Sequence, residues 1–143
     1  MRKRKVELAK RHRVYFNVAK NVAELSDFKR VHIGCCVVYR HRIISSASNS
    51  TKTHPLQRKL NKYRFDEDIY HPLHAETRAL LPLINRKDID FSDVSLYLYR
   101  EDKNGNIAPS HPCPSCEALI KKLGIKNIYF TNNGGFSHEK ILC

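Results

Sequence analysis

The sequence predicts an α/β layered domain built around a mixed β-sheet, and three observations carry that expectation. Helical and strand patterns alternate after an opening hairpin. A helix beginning at Pro114 lies between two apolar strands, which is the layout of a parallel crossover. A chain of 143 residues with 41% hydrophobic content is long enough to bury one core. No internal repeat, low-complexity tract or linker interrupts it, so residues 1–143 read as a single domain.

Residues 4–25 predict an amphipathic helix, with Val14, Val18, Val22 and Leu25 recurring at spacings of three and four. Arg11, Arg13 and Lys20 fall off that stripe, and Ser26–Asp27 ends it, so residues 1–28 form a basic N-terminal segment. His32–Tyr39 is a β-branched apolar run, Arg40–His41 a tight turn and Arg42–Ala47 a second strand, together a hairpin. Residues 48–72 form a long polar loop bounded by Pro55 and Pro72, with room for a short helical piece; a loop of that length inside a compact domain is usually functional. His74–Leu83 predicts a helix with Ala75, Ala79, Leu80 and Leu83 inward, and Val94–Tyr99 is the clearest strand. Lys103-Asn104-Gly105 folds the chain back through Ile107. Pro114 suits a helix first turn and Gly124 its stop. Ile125–Thr131 is the last clear strand, closed by Asn132–Gly135.

Composition narrows the function classes. No apolar run approaches the length of a membrane span. Residues 1–13 are basic but lead into no signal-peptide pattern, and the five cysteines are odd in number with Cys35 and Cys36 adjacent. A reducing, cytoplasmic setting is the expectation. The net charge of +12 is unevenly spread: residues 1–64 carry +14 and residues 65–143 carry −2. Such a pole favours anionic partners, although any single Lys or Arg serves equally well as ordinary solvated charge.

Two clusters bring chemistry: His74-Ala75-Glu76 and Pro112-Cys113-Pro114-Ser115-Cys116. Cys113 and Cys116, three apart, share one face of a helix first turn, where the positive dipole end favours thiolates. With His74 they make three ligands for one Zn²⁺, leaving the fourth tetrahedral position to water, as in a catalytic site. Glu76 lies roughly opposite His74 on a regular helix, so both face a metal only if His74 stands at the non-helical start, which Pro72 upstream allows. Glu76 is then a proton shuttle rather than a ligand. The alternative is a closed structural zinc site with His71 or His111 as fourth ligand, which leaves Glu76 without a purpose.

This spacing matches the His-x-Glu … Pro-Cys-x-x-Cys pattern of zinc deaminases, and residues 31–131 resemble the cytidine deaminase-like superfamily in motif and element order. The resemblance implies a three-layer fold, Zn²⁺ held by His74, Cys113 and Cys116, and Glu76 as general acid/base. It also places Asn49, at the end of the second strand, on the base or sugar, and Ala75 beside the base through its amide; as a plain loop residue Asn49 would instead be a cap. The sequence departs from familiar members in three places. Thr77-Arg78-Ala79 stands where deoxycytidylate-type members usually have an Asn-Ala pair. Residues 100–111 are inserted before the Pro-Cys, and the later strand–helix unit is expected to be missing.

Lys52, His54, Arg58, Lys62 and Arg64 lie between Asn49 and the zinc helix, placed for a 5′-phosphate or a polynucleotide backbone, and Lys52, Arg58 and Arg64 are the expected substrate-binding residues. Tyr63, Phe65 and Tyr70 either stack on a base or pack the loop. The expected function is hydrolytic deamination of a cytosine-type nucleoside or nucleotide, a small-molecule substrate. The alternatives are the same chemistry on single-stranded DNA or tRNA, and a non-enzymatic zinc-stabilised nucleic-acid-binding module. A homo-oligomer is compatible with the chain; a membrane partner is not expected.

Overall fold

In the computed structural model of the chain, residues 2–5, 10–28, 31–61, 72–133 and 135–141 are described. The centre of the molecule is strand β2 (His32–Tyr39), whose run Gly34–Val38 is buried without a break. Successive strand residues point to opposite faces. Cys35 and Val37 therefore enter one apolar cluster while Cys36 and Val38 enter another. Both faces of the sheet are covered, which explains why the run does not alternate with polar residues. Cys35 and Cys36 are free thiols. Burial pushes the Cys36 thiol up to about 12 and that of Cys35 well above its ordinary range.

The element order is β1 (Arg2–Lys5), α1 (Lys10–Ala23), β2, β3 (Arg42–Ser48), β4 (Ser50–Thr53), α2 (Pro55–Leu60), β5 (Pro72–Leu73), α3 (Ala75–Leu80), β6 (Val94–Glu101), α4 (Pro114–Leu123), β7 (Asn127–Asn132) and β8 (Gly135–Lys140). Six strands form one sheet in the order β1-β8-β7-β6-β2-β3, and β4 pairs with β5 apart from it. The predicted hairpin is present, its turn holding Arg40 and His41 at positive φ. The crossover is also as predicted: β6 and β7 are parallel, with α4 between them, and every other neighbour pair in the main sheet is antiparallel. Helix α1 covers one face. Helices α3 and α4 cover the other, packing Ala79, Leu80, Leu119 and Ile120 on Val37, Leu96, Leu98 and Ile128.

Three expectations are corrected. Helix α1 begins at Lys10 rather than residue 4, because Arg4 and Lys5 lie in β1, which pairs with β8. Its buried face is His12, Phe16, Ala19 and Ala23, with Val18 of the expected stripe only partly buried against the same cluster. Val14 is 49% exposed and Leu25 78%. The reason is the approach of α1 to the sheet at Gly34: a Cβ there would stand 1.8 Å from the Ala19 carbonyl oxygen. Only small residues fit a contact so close, and Ala19 and Ala23 occupy it, both fully buried. Finally, a further strand does follow β7: β8 pairs with it along Asn127–Asn132.

Candidate active site

His74 and Cys113 occupy equivalent local positions. Each is the extended residue just before a helix, His74 with φ −74° and ψ 152° ahead of α3, Cys113 with φ −71° and ψ 167° ahead of α4. That position usually spends its side chain on capping the helix's free N–H groups. Neither side chain does so here. Both turn towards Cys116, the third residue of α4. His74 Nδ1 lies 3.2 Å from Cys116 Sγ and 3.4 Å from Cys113 Sγ. The three ligand atoms all fall within 4.8 Å of one another. One imidazole and two thiols so clustered are a zinc donor set, and the donors present fit that ion. They are the only such group of three or more among the described residues.

The two thiols are shifted in opposite directions. A hydrogen bond from Cys116 holds Cys113 well below the usual thiol range against the opposing effect of burial, and His74 and Ser115 add to the lowering. The same hydrogen bond and burial push Cys116 up. Ser115 Oγ is 2.9 Å from Cys113 Sγ, and Thr77 Oγ1 is 3.8 Å from Cys116 Sγ. His74 is fixed from a third element. The buried amide of Gln57, in α2, accepts from the His74 backbone N–H at 3.1 Å and donates to Asn61 Oδ1 at 2.8 Å. The short helical piece expected in the polar loop thus has a function: it mounts the residue that starts α3.

Glu76, in the first turn of α3, is 5% exposed. Burial raises its carboxyl above the ordinary range, although His74 pulls it down. The extended conformation at His74 brings His74 and Glu76 to one cavity, of about 270 Å³, which Cys113 also lines. The other walls are Phe28, Val31, Ile33, Asn49 and Leu73, and the segment Arg100, Pro109, Ser110 and His111.

Asn49 lines the cavity, and its side chain is also a clamp. Its Oδ1 accepts from Ile33 N at 3.0 Å and from Ser26 Oγ at 2.5 Å, while Nδ2 donates to Val31 O at 3.0 Å. One Nδ2 hydrogen remains for a ligand. Ala75 is fully buried at the start of α3. Lys52 and Arg58 are exposed, Lys52 on β4 and Arg58 on the outer side of α2, whose inner side is Gln57 and Leu60; neither lines the cavity. Arg64, Lys62, Tyr63, Phe65, Tyr70 and His71 lie outside the described residues. His111 does not join the metal-ligand cluster, since its Nε2 is 3.1 Å from Glu139 Oε2.

The insertion after β6 supplies the cavity wall that sequence reasoning missed. Asp102 Oδ1 accepts from the N–H groups of Asn104 and Asn106, both at 2.9 Å, and closes a turn. The chain then returns along β6, with Ile107 bridged to Glu101. Ser110 is tied at both ends, donating to Leu98 O at 3.0 Å and accepting from Thr131 N at 2.8 Å. Pro109–His111 is thereby a rigid strap.

Comparison with known proteins places this arrangement. Residues 9–132 match the family described as "Cytidine and deoxycytidylate deaminase zinc-binding region". The fold is similar to a dCMP deaminase from the cyanophage S-TIM5 in apo form, with TM-score 0.58, 22% identity, and 85% of this chain and 82% of that chain covered. It is also similar to a cytidine deaminase from Burkholderia pseudomallei, with TM-score 0.64, 16% identity, and 90% and 91% covered. The cyanophage dCMP deaminase in complex with dCMP and dUMP gives TM-score 0.57, 20% identity, and 86% and 82% covered. No curated protein sequence matches the chain.

Proposed function

Since the chain belongs to the cytidine and deoxycytidylate deaminase zinc-binding family, we propose that it is a zinc hydrolase converting a cytosine-type nucleotide to its uracil form, with dCMP the leading candidate. The observation that carries the reading is Glu76: a buried carboxyl sharing one cavity with His74 and Cys113, two of the three clustered zinc-ligand candidates. A structural zinc site gives such a group no role.

His74, Cys113 and Cys116 would hold the ion, which when bound supplies an activated water whose pKa falls to about 7. The remaining steps belong to side chains of this chain. Glu76 accepts a proton as water oxygen bonds to the amino-bearing ring carbon, and delivers it to ring nitrogen N3. It passes the next proton to the departing amino group, so that the carbon–nitrogen bond breaks and ammonia leaves. A raised carboxyl pKa suits a group that must both take and give a proton near neutrality. Asn49 and the Ala75 amide hold the base. The cavity, near the low end of small-ligand pockets, supports a single nucleotide over a strand tracked along its backbone.

Ammonia release from dCMP, deoxycytidine, cytidine and a cytosine-containing single-stranded oligonucleotide tests this reading, with zinc content measured on the same preparation. The expected result is one zinc per chain and turnover of dCMP. Turnover confined to the oligonucleotide, with affinity falling steeply with salt, makes the protein a polynucleotide deaminase. Full zinc in a Cys113→Ser/Cys116→Ser variant removes the assigned site.

A further inference from the structure

Arg100 stands near the end of β6 and lines the cavity that holds Glu76, His74 and Cys113. Its backbone is held on both sides: the N–H donates to Thr131 Oγ1 at 3.2 Å and the carbonyl accepts from Ala108 N at 3.0 Å. Its guanidinium, by contrast, is barely used. Five N–H donors are available. Nη1 makes a long contact to Pro109 O at 3.3 Å, and Nε is buried with no partner among the described residues. None of the ion pairs among the described residues includes Arg100; the Glu76 carboxyl, in the same cavity, makes none with it. A permanently charged, planar donor fork in a cavity, paired with no carboxylate among the described residues, matches an anion that arrives with the ligand. Burying a donor without a partner is unfavourable, so a group kept in that state is one whose partner comes and goes.

We propose that Arg100 receives the 5′-phosphate of the substrate nucleotide and so sets the enzyme's preference for nucleotide over nucleoside. The inference rests on the deaminase reading for its substrate, and it moves phosphate recognition from the exposed cations Lys52 and Arg58 to the insertion. The strap explains how the fork is aimed. Ser110 is pinned to β6 through the Leu98 carbonyl and to β7 through Thr131, Thr131 also holds the Ala108 carbonyl, and His111 is fixed by Glu139, so the wall around Arg100 is set before the ligand binds.

The test uses the full-length, zinc-loaded protein and its Arg100→Ala and Arg100→Lys variants. Steady-state kinetics are measured with dCMP and deoxycytidine, and binding of dUMP and deoxyuridine is measured by calorimetry. Arg100→Ala is expected to lower the ratio of kcat/KM for dCMP over deoxycytidine about tenfold to a hundredfold, mostly through KM, as befits a charge-assisted bidentate contact. Arg100→Lys retains the charge but not the fork and falls between the two; it also carries the test if the alanine variant does not fold. Binding of dUMP weakens in parallel, relative to deoxyuridine. Equal losses for nucleotide and nucleoside overturn the inference while leaving the deaminase reading intact. If the wild-type protein releases ammonia from neither compound, the reading of it as a mononucleotide deaminase fails; selective loss of dUMP binding in Arg100→Ala then still establishes the phosphate site. Equal affinity of the wild-type protein for dUMP and deoxyuridine overturns the inference whatever the kinetics show.

Discussion

Replacing Gly34 by alanine adds one methyl group where α1 lies closest against the backbone of β2 at a glycine. The new Cβ would lie 1.8 Å from the Ala19 carbonyl oxygen and 2.8 Å from both the Ala19 carbonyl carbon and the Ala23 amide nitrogen. All three are backbone atoms, so no rotamer change relieves the overlap; the helix itself has to move. Reaching an ordinary contact requires α1 to retreat by roughly 1.5 Å, and a gap of even 0.5–1 Å forfeits about a quarter to a half of the dispersion energy of the facing atoms. The loosened surface is Phe16, Ala19 and Ala23 against Cys36, Val38, Tyr97 and Tyr99. A cost of about 3 kcal/mol, at the upper end for overpacking, translates into a fall in Tm of roughly 6–12 °C at this chain length. Differential scanning calorimetry of the zinc-loaded Gly34→Ala variant measures it. A second variant sharpens the result: because the clash is with backbone, Ala19→Gly in the same background should not restore stability. A Gly34→Ala protein melting within about 2 °C of wild type, or rescued by Ala19→Gly, would refute the packing argument.

Glu76→Gln should keep one zinc per chain and a near-normal Tm while ammonia release falls by about 10²–10⁴-fold; loss of the metal would instead mark Glu76 as a ligand. His12 is held below its ordinary pKa first by burial, with the charges of Arg11 and His138 adding to the effect, and its Nδ1 lies 2.7 Å from the Tyr97 hydroxyl. The folded state therefore binds fewer protons than the unfolded chain as pH falls below about 6.5, so stability is greatest above that value and is lost on acidification through the window below it. Urea midpoints at pH 5 and 7.5 should show that dependence in wild type and a flatter one in His12→Gln; identical slopes would show that His12 does not contribute. Glu139 is fully buried, and His111 is its partner, with Oε1 unpaired among the described residues. His111→Ala should destabilise by about 2 kcal/mol, the cost of leaving a buried carboxyl without its hydrogen-bond partner, and adding Glu139→Leu should recover most of it in a double-mutant cycle.

The site was legible in the sequence because its chemistry depends on residue types at short fixed spacings. Two cysteines three apart behind a proline, and a histidine two before a glutamate, are hard to place together without a metal. The hairpin, the α4 boundaries at Pro114 and Gly124, and the parallel β6–β7 pair followed from local signals of the same kind. Where the reading failed, the deciding contact was distant in sequence. The face that α1 turns inward is chosen by Gly34, which the apolar periodicity of the helix does not encode. Strand β8 is inverted: its inward residues are Ser137 and Glu139, made tolerable by Asn132 and His111, so no hydrophobic alternation announces it. β1 is four consecutive cations, a composition that suggests solvent and not a strand. Arg100 looks like any other basic residue until Pro109–His111 folds back beside it.

The pairing of β1 with β8 sets Arg2 across from Lys140, and this has a kinetic consequence. The entropy of closing a loop rises with its length, and no other strand pairing in the sheet encloses so much chain. The β7–β8 hairpin, joined by a short turn, forms locally and presents the edge on which β1 docks. β1 is thus the last strand to join during folding and the first to leave in native-state opening. Four like charges hasten that departure at low ionic strength. Amide exchange should accordingly be fastest at Arg2–Lys5 and slowest in the β2–β6 pair, with the sheet opening from that edge inward.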